Sequence, residues 1–224
     1  MQSIVISIGG SVLISDDVQA SFFKKLNDLL NEIKKEYKIY IVVGGGKTAR
    51  RYIILGRKLG LSEKSLDEIG IQATRINASF LTMNLKEANN IIPKSTDEAS
   101  KISKKIVVMG GTTPGHSTDK VGAELAYKVS AEKYIIATNV DGIYTKDPNK
   151  YKDAKKISEI SIKDLIKKYG TDWKTAGKNI VIDGPALDII YKKKIPTFVL
   201  NGNKLSEIKK VIKNKKFNGT IIKN

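Results

Sequence analysis

Three glycines at 44–46 follow five apolar or aromatic residues and precede a basic stretch, in the sequence IYIVVGGGKTARRY at 39–52. A glycine-rich turn exposes backbone N–H groups, and when it leads into a helix it can bind an anion such as a phosphate. Arg50 would fall in the first turn of that helix, where its guanidinium can donate two parallel hydrogen bonds to phosphate oxygens. A phosphate site is therefore one interpretation of this stretch.

Two known motifs match this turn in part. A P-loop shares the GKT at 46–48, but it requires a glycine at position 41, where this chain has isoleucine. The dinucleotide fingerprint G-x-G-x-x-A fits 44–49, and Asp67 lies at a suitable distance beyond it, yet this short signal is weak. The turn by itself leaves three interpretations open: a mononucleotide site, a dinucleotide site, or a tight turn without a ligand.

The same arrangement, a β-branched run followed by a turn rich in Gly, Thr, Asn or Asp, recurs along the chain. It is found in SIVISIGGS at 3–11, KIVVMGGTTPGHST at 105–118 and KYIIATNVDG at 133–142. Segments with helical periodicity lie between these runs, at 22–36, 49–59, 66–88 and 119–129. Apolar strands that alternate with amphipathic helices predict an α/β fold, with a mainly parallel sheet sandwiched between helices. Ligands bind such sheets beyond the carboxyl ends of the strands, so we expect the four turns to meet there.

The last third of the chain does not repeat this strand–turn–helix pattern regularly. The polar segment 145–157 is predicted to be irregular, and a polar loop is predicted at Trp173–Lys178. Helices are predicted at 162–169, 185–193 and 204–212, and strands at 195–202 and 218–223. Because no linker or low-complexity segment interrupts the sequence, we expect one domain built on a continuous sheet.

Composition narrows the class of protein. The 224 residues carry a formal net charge of +17 and include no cysteine, which excludes disulfides and a cysteine nucleophile and fits a cytoplasmic protein. The lysines are spread over the predicted helices, which favours a solvated surface over a nucleic-acid interface. No apolar run approaches the ~20 residues of a membrane span, and the N-terminal segment is typical of a first strand rather than a signal peptide.

Taken together and in this order, the motifs resemble the amino-acid-kinase superfamily and, within it, the uridylate (UMP) kinases, most closely their archaeal form. The resemblance covers essentially the whole chain and rests on IGGSVL, VVGGGKTARRY, LDEIGIQATRINA, GGTTPGHSTD, ATNVDGIYTKDP and FNGTII. It implies the carbamate-kinase-like fold, with an acceptor (UMP) lobe of about 1–130 and an ATP lobe of about 131–224. It also implies reversible transfer of the γ-phosphoryl group of ATP to UMP, giving UDP and ADP in pyrimidine nucleotide biosynthesis.

The resemblance also implies roles for single residues. The ATP site would comprise Gly9, Gly10, Ser11, Gly46, Arg50, Thr138, Asn139, Tyr144 and Asp147. The UMP site would comprise Gly45, Asp67, Thr112, Thr113, Pro114, Gly115, His116, Ser117 and Thr118. Catalysis would depend on Gly10, Gly46 and Arg50. Without the resemblance, Asp67 would be taken for a helix N-cap or a first-turn acid. The sequence contains no carboxylate cage for Mg²⁺, so ATP phosphates would be its main ligands. The expected assembly is a hexamer that binds neither nucleic acid nor membrane.

One position departs from the pattern of the superfamily. Many members place a lysine in the first strand just before the glycines, and this chain has Ser7 there. We expect Arg50 to supply the missing positive charge, with Lys47 and Arg51 as alternatives. The single histidine, His116, is expected to shape its loop. Isopentenyl phosphate kinases, which share the fold, place a histidine after the central glycines, and none follows them here. A nicotinamide-dependent oxidoreductase and a nucleotide- or nucleic-acid-binding module remain alternatives.

Overall fold

The computed structural model describes residues 1–15, 19–172 and 181–224. The strands in this part of the chain are β1 (Gln2–Ile8), β2 (Tyr37–Val43), β3 (Ile106–Met109), β4 (Lys133–Thr138), β5 (Ile143–Tyr144), β6 (Lys156–Ile157), β7 (Glu159–Ser161), β8 (Thr197–Asn201) and β9 (Gly219–Lys223). The helices are α1 (Gly10–Leu13), α2 (Ala20–Ile33), α3 (Gly46–Lys58), α4 (Glu63–Met83), α5 (Thr96–Lys101), α6 (Thr118–Lys128), α7 (Ile162–Tyr169), α8 (Gly184–Lys193) and α9 (Leu205–Ile212).

One sheet runs through the whole described chain, in the strand order β3-β2-β1-β4-β8-β9-β7. Every neighbouring pair is parallel except β8 and β9, which are antiparallel. The short strands β5 and β6 form a separate antiparallel pair. The prediction of a mainly parallel, continuous sheet is confirmed. The division into an acceptor lobe and an ATP lobe stays a prediction.

Strands β1 to β4 are mainly apolar and buried because both faces of the sheet are covered. In β1, Ile4, Ile6 and Ile8 enter a hydrophobic cluster with residues of α2 and α9. Val5, between them, points to the opposite face and enters a second cluster with residues of α6 and α8. This alternation follows from the two-residue repeat of a strand. The sheet is therefore sandwiched between helices, as the sequence predicts.

Helix α4 begins earlier and ends earlier than the periodicity predicts. The Ser62 hydroxyl accepts a hydrogen bond from Ser65 N at 3.1 Å and caps the helix, which starts at Glu63. Asp67 therefore lies in the second turn, and the interpretation of Asp67 as an N-cap or first-turn acid is wrong. At the other end α4 stops at Met83 instead of residue 88, and the side chain of Asn84 donates to Phe80 O at 2.7 Å.

Five short elements were not predicted, namely α1, α5, β5, β6 and β7, and β6 lies at the end of the segment 145–157 that was predicted to be irregular. Helix α5 has only six residues, and its signal is a capping box in which Ser95 Oγ accepts a hydrogen bond from Glu98 N. Strand β7 has three residues and no apolar run, and it forms through pairing with the distant strand β9. The predicted loop at Trp173–Lys178 lies outside the described residues. None of the helices in the described ranges is long and apolar enough to cross a membrane.

Candidate active site

The turns that follow β1, β2, β3 and β4 meet at the carboxyl edge of the sheet. They surround a cavity of about 290 Å³. The chain runs from β1 to β2 and β3 on one side, then returns to place β4 on the other side of β1. A ligand crevice is expected at such a reversal of strand order. The topology therefore explains why the motifs gather here.

The first and central glycine turns touch through their backbones. A Cβ atom added to Gly10 would lie 2.4 Å from both Gly44 O and Gly46 N, so only glycine fits. Gly46 also has φ +63°, a left-handed conformation that favours glycine. In the part of the chain that is described, the N–H groups of Gly10, Ser11, Gly45 and Gly46 have no acceptor. Such groups at adjoining helix starts form a binding site for phosphate.

Arg50 links the two turns. Its guanidinium Nη2 donates a hydrogen bond to Ser11 Oγ at 2.9 Å. Arg50 lies one turn inside α3, because the helix starts at Gly46 and not at the predicted residue 49. Within residues 1–15, 19–172 and 181–224, it is the one Lys or Arg side chain that lines the cavity. Lys47 and Arg51 are exposed residues outside that lining.

On one side of the cavity, Asp67 holds the loop that follows β3. One of its carboxylate oxygens, Oδ2, accepts a hydrogen bond from Gly115 N at 2.7 Å. Gly115 has φ +78°, so the loop turns there in a conformation suited to glycine. Asp67 also lines the cavity. Its second oxygen is therefore the atom that could accept from a ligand hydroxyl.

Two aspartates that the sequence analysis did not single out lie deeper in the cavity. Asp119 Oδ1 accepts a hydrogen bond from Ser7 Oγ at 3.3 Å. Burial, followed by the nearby charge of Asp183, raises the pKa of Asp119 to about 7, although the Ser7 hydrogen bond acts in the opposite direction. Burial also raises the pKa of Asp183. The position of the usual superfamily lysine thus carries a hydroxyl paired with an acid that titrates near neutrality.

Two buried polar atoms at the cavity wall lack a hydrogen-bond partner in the described structure, namely His116 Nδ1 and Asp183 Oδ2. His116 Nδ1 lies 3.8 Å from Glu124 Oε1, beyond hydrogen-bond distance. Burial lowers the pKa of His116 and the charge of Lys120 lowers it further, so the imidazole is neutral at pH 7. Buried polar atoms in native proteins are almost always paired. We therefore expect a ligand or its water to supply both partners.

The structure brings most of the predicted site residues to this cavity. Its lining includes Gly9, Gly10, Ser11, Gly45, Gly46, Arg50, Asp67, Thr113, His116, Ser117, Thr118, Thr138 and Asn139. Outside the lining are Thr112, Pro114, Gly115, Tyr144 and Asp147. Tyr144 belongs to β5, and Asp147 Oδ1 accepts a hydrogen bond from Asn149 N at 2.9 Å in the turn that follows. The functional roles of all these residues stay predictions.

The residues that sequence reasoning missed have weak local signals. Asp119 ends the quoted motif GGTTPGHSTD and could have been found there. Asp183 lies in a segment without a recognised motif, and it caps α8 by accepting from Ala186 N at 2.9 Å. Thr74 and Asn77 lie within the quoted α4 motif, where they read as ordinary helix residues.

The cavity lining offers few ligands for a metal ion bound by the protein itself. In the described ranges, no group of three or more His, Cys, Asp or Glu side chains is arranged to hold a metal ion. Mg²⁺ prefers six oxygen ligands and often takes several from substrate phosphates and water. A Mg²⁺ ion that arrives with a nucleotide fits this cavity better than one caged by the protein.

Comparison with known proteins assigns the family. A model of the Amino acid kinase family matches residues 2–201, so the chain belongs to that family. It is 43% identical over 216 residues to the uridylate kinase of Thermoplasma volcanium, covering 96% of this chain and 94% of the relative. It is 44% identical over 226 residues to the uridylate kinase of Methanocaldococcus jannaschii, covering 98% of each chain. The crystal structure of uridylate kinase from Archaeoglobus fulgidus matches with a TM-score of 0.85 and 39% identity, covering 99% of this chain and 100% of that one. The family and fold predicted from the motifs are confirmed.

The raised pKa of Asp119 makes a testable prediction about stability. The folded protein keeps a proton on Asp119 that the unfolded chain loses above its ordinary pKa of 3.8, so this residue lowers stability as pH rises from 4 to about 7. Asp119→Asn cannot ionise, so its stability relative to wild type should be greater at pH 8 than at pH 4.5, by up to about 3 kcal/mol at 1.4 kcal/mol per pKa unit. Water in the open cavity lowers this figure. Urea unfolding at both pH values measures it.

Asp97→Asn is the matched control. The pKa of the exposed Asp97 is lowered by its hydrogen bond with Lys128, so its amide variant should show no stability gain at pH 8. A gain for Asp119→Asn of the same size at both pH values would contradict the titration of this carboxyl.

Proposed function

We propose that the chain transfers the γ-phosphoryl group of ATP to UMP, reversibly, giving ADP and UDP as a step of pyrimidine nucleotide biosynthesis. The observation that carries the proposal is its similarity to uridylate kinases over nearly the full length of both chains. The cavity supports it with backbone N–H groups and one arginine at the meeting point of two glycine turns. A phosphotransferase needs such an anion-binding centre.

We assign the two substrates to opposite sides of the cavity. ATP is placed on the side of Gly9, Gly10 and Ser11, with Thr138 and Asn139 beyond them. UMP is placed against Asp67 and the loop 112–118. Asp67 Oδ2 holds Gly115 N, which leaves Oδ1 to accept from a ribose hydroxyl. The unpaired His116 Nδ1 and Asp183 Oδ2 are then supplied with partners by substrate or by its water.

The chemistry of the transfer requires little from side chains beyond position and charge. An ionised oxygen of the UMP phosphate attacks the γ-phosphorus, the bond to the β-phosphate oxygen breaks, and ADP leaves with the electron pair. No general base is needed, because the attacking oxygen already carries charge. The N–H groups of Gly10 and Gly46 and the guanidinium of Arg50 bind the phosphate oxygens and stabilise the transition state. Mg²⁺ on the ATP phosphates would neutralise further charge.

Release of ADP from Mg-ATP tests the proposal, measured with UMP, CMP, dUMP, isopentenyl phosphate or no acceptor. Strong turnover with UMP alone is the expected result, and a lower rate with dUMP would support the contact between Asp67 and the ribose. Turnover with isopentenyl phosphate alone would keep the family and overturn the substrate. A titration with NADH distinguishes the oxidoreductase alternative, because the kinase hypothesis predicts no specific binding of NADH.

A cytoplasmic location stays a prediction.

We also propose that the chain assembles with copies of itself, as the resemblance to hexameric kinases implies. Exposed apolar side chains form a row on each of two helices that pack together. The rows are Tyr52 and Leu55 on α3, continued by Leu59 just after the end of that helix, and Ile76, Phe80 and Met83 on α4. Apolar rows of this size on a water-facing surface usually mark an interface. The partner fitted to them is a second copy, as the expected hexamer requires. The lysine-rich faces of a chain with a charge of +17 repel one another, which leaves the apolar rows as the surface through which copies can meet.

Light scattering after size-exclusion chromatography tests the assembly. The native chain should elute with a mass several times that of one chain, and the double variant Phe80→Lys, Met83→Lys should shift to a smaller species. Ile91→Lys changes an apolar residue in a loop that is as exposed as Met83, and it should leave the mass unchanged. A native chain that is monomeric at micromolar concentration would overturn this proposal without affecting the proposed reaction.

A further inference from the structure

Helix α4 contacts the central glycine turn through one buried side chain. The amide of Asn77 donates hydrogen bonds to Gly44 O at 2.9 Å and to Gly45 O at 3.3 Å. Asn77 is 4% exposed, so water does not substitute for these bonds. Both hydrogens of the amide nitrogen are used on consecutive carbonyl groups of the turn.

These two bonds fix the direction in which the turn presents its N–H groups. In a trans peptide the C=O and N–H of one peptide group point in opposite directions. With Gly44 O held by Asn77, the N–H of Gly45 points away from α4. Gly45 O accepts both from Asn77 and, as the first bond of α3, from Ala49 N at 3.3 Å, and the N–H of Gly46 therefore points away from α4 too. These are two of the N–H groups that lack an acceptor in the described chain. Asn77 therefore orients the phosphate-binding groups without touching the phosphate.

The same helix holds the loop on the acceptor side. Thr74 Oγ1 accepts a hydrogen bond from Gly111 N at 2.6 Å and donates one to Ile71 O at 2.6 Å. Arg75 donates to Gly111 O at 3.2 Å and to Thr112 O at 3.1 Å. A Cβ atom on Gly110 would lie 2.6 Å from Thr74 Oγ1 and 2.9 Å from Arg75 N, so the loop runs directly against the helix backbone.

Thr74 and Asn77 are three residues apart, so they lie on the same face of α4, about 4.5 Å apart along its axis. One rigid helical turn therefore connects the turn at 44–46 with the loop at 110–112. We propose that α4 sets the distance between the donor and acceptor phosphates, with Asn77 and Thr74 as positioning residues. The kinetic part of this inference rests on the proposed phosphotransfer. The structural part, that each side chain holds its own loop, does not.

The expected effect is mainly on turnover. Misplacement of reacting groups by about 1 Å costs on the order of 100-fold in rate. Asn77→Leu keeps the size of the side chain and removes both donors, so we expect kcat to fall by roughly 100-fold, while KM for UMP and ATP changes by less than about fivefold. Thr74→Val should act in the same way, and Thr74→Ser, which keeps the hydroxyl, should restore most of the turnover.

Helix α4 also provides matched controls. The amide of Asn84 donates to Phe80 O and the hydroxyl of Thr82 donates to Ser79 O, so each makes the same kind of bond as its counterpart, far from the cavity. Asn84→Leu and Thr82→Val should leave kcat within about twofold of wild type. A loss of turnover in the controls equal to that in Asn77→Leu and Thr74→Val would overturn the inference, because it would reflect general damage to the helix.

Amide hydrogen exchange gives a readout that does not depend on activity. Asn77→Leu should speed exchange at Gly44 N, which donates to Ile8 O at 2.9 Å, and Thr74→Val should speed exchange at Gly111 N, which donates to Thr74 Oγ1. Neither control should change these two amides. If the wild type transfers no phosphate to any acceptor, the proposed function fails and exchange still decides the structural part. Unchanged exchange with unchanged kcat overturns the inference itself. Should Asn77→Leu not fold, the contrast between Thr74→Val and Thr74→Ser decides.

Discussion

Gly10→Ala is expected to destabilise the protein by about 3 kcal/mol, at the upper end of the cost of overpacking. The added methyl carbon would lie 2.4 Å from Gly44 O, 2.4 Å from Gly46 N and 2.7 Å from Gly45 C. All three are backbone atoms, so no side-chain rotation can relieve the contact. The two glycine turns must separate, which breaks the apposition that forms the phosphate site. Turnover should therefore fall below detection even in the fraction that folds.

The expected loss of stability is opposite in sign to the usual effect of replacing glycine by alanine in a helix. Replacing glycine by alanine inside a helix normally stabilises it by about 1 kcal/mol. Gly9→Ala is the control for stability, because its added carbon would meet nothing closer than 3.5 Å and its φ of −56° suits alanine. Urea unfolding should give Gly9→Ala a free energy within about 0.5 kcal/mol of wild type. Equal stabilities for the two variants would mean that the turns are not in contact.

The glycine turns could be located from the sequence for a physical reason. An apolar run followed by glycines marks the carboxyl end of a buried strand, and parallel strands bring all such ends to one edge. The first turn, Gly9 to Ser11, and the glycines at 44–46 could thus be placed together without knowledge of any distance. Helix α7 was predicted with its observed bounds, because its apolar positions repeat at helical spacing and Gly170 ends it.

The parts of the site that were missed depend on contacts between distant segments. Asp183 caps a helix late in the chain, and only the fold carries it to the cavity that also contains Asp119. Asn77 is a polar residue within an amphipathic helix, and sequence alone does not distinguish it from Asn84, which bonds within its own helix. The difference between a positioning residue and an ordinary one lies in which backbone carbonyl is in reach.

The missing lysine illustrates the same limit. Sequence shows that Ser7 stands where many members of the superfamily have a cation, and it predicts compensation by Arg50, Lys47 or Arg51. The structure adds that Ser7 donates to Asp119, and that Arg50 alone of these three cations lines the cavity. A carboxylate beside transferring phosphates would repel them. An Asp119 pKa near 7 leaves a substantial neutral fraction, which reduces the charge that Arg50 has to offset.

Arg50→Ala is therefore expected to lower kcat by roughly 100- to 1,000-fold, the usual cost of removing one group that stabilises transition-state charge. Its guanidinium bridges to Ser11 Oγ, so it is already held between the two turns before substrate binds. Arg50→Lys keeps the charge but loses the planar fork, and it should recover only part of the rate. Arg51→Ala removes an exposed neighbour on the same helix and should remain within about twofold of wild type.

Chemical rescue separates the charge of Arg50 from any structural role. Added guanidinium ion at concentrations too low to unfold the protein should restore part of the turnover of Arg50→Ala, because the truncated side chain leaves room for the cation. It should not raise the rates of wild type or Arg51→Ala. If Arg50→Ala keeps near-normal kcat while Arg51→Ala or Lys47→Ala loses it, the cation that replaces the first-strand lysine is that residue. The first glycine turn would then have to move toward it when nucleotides bind.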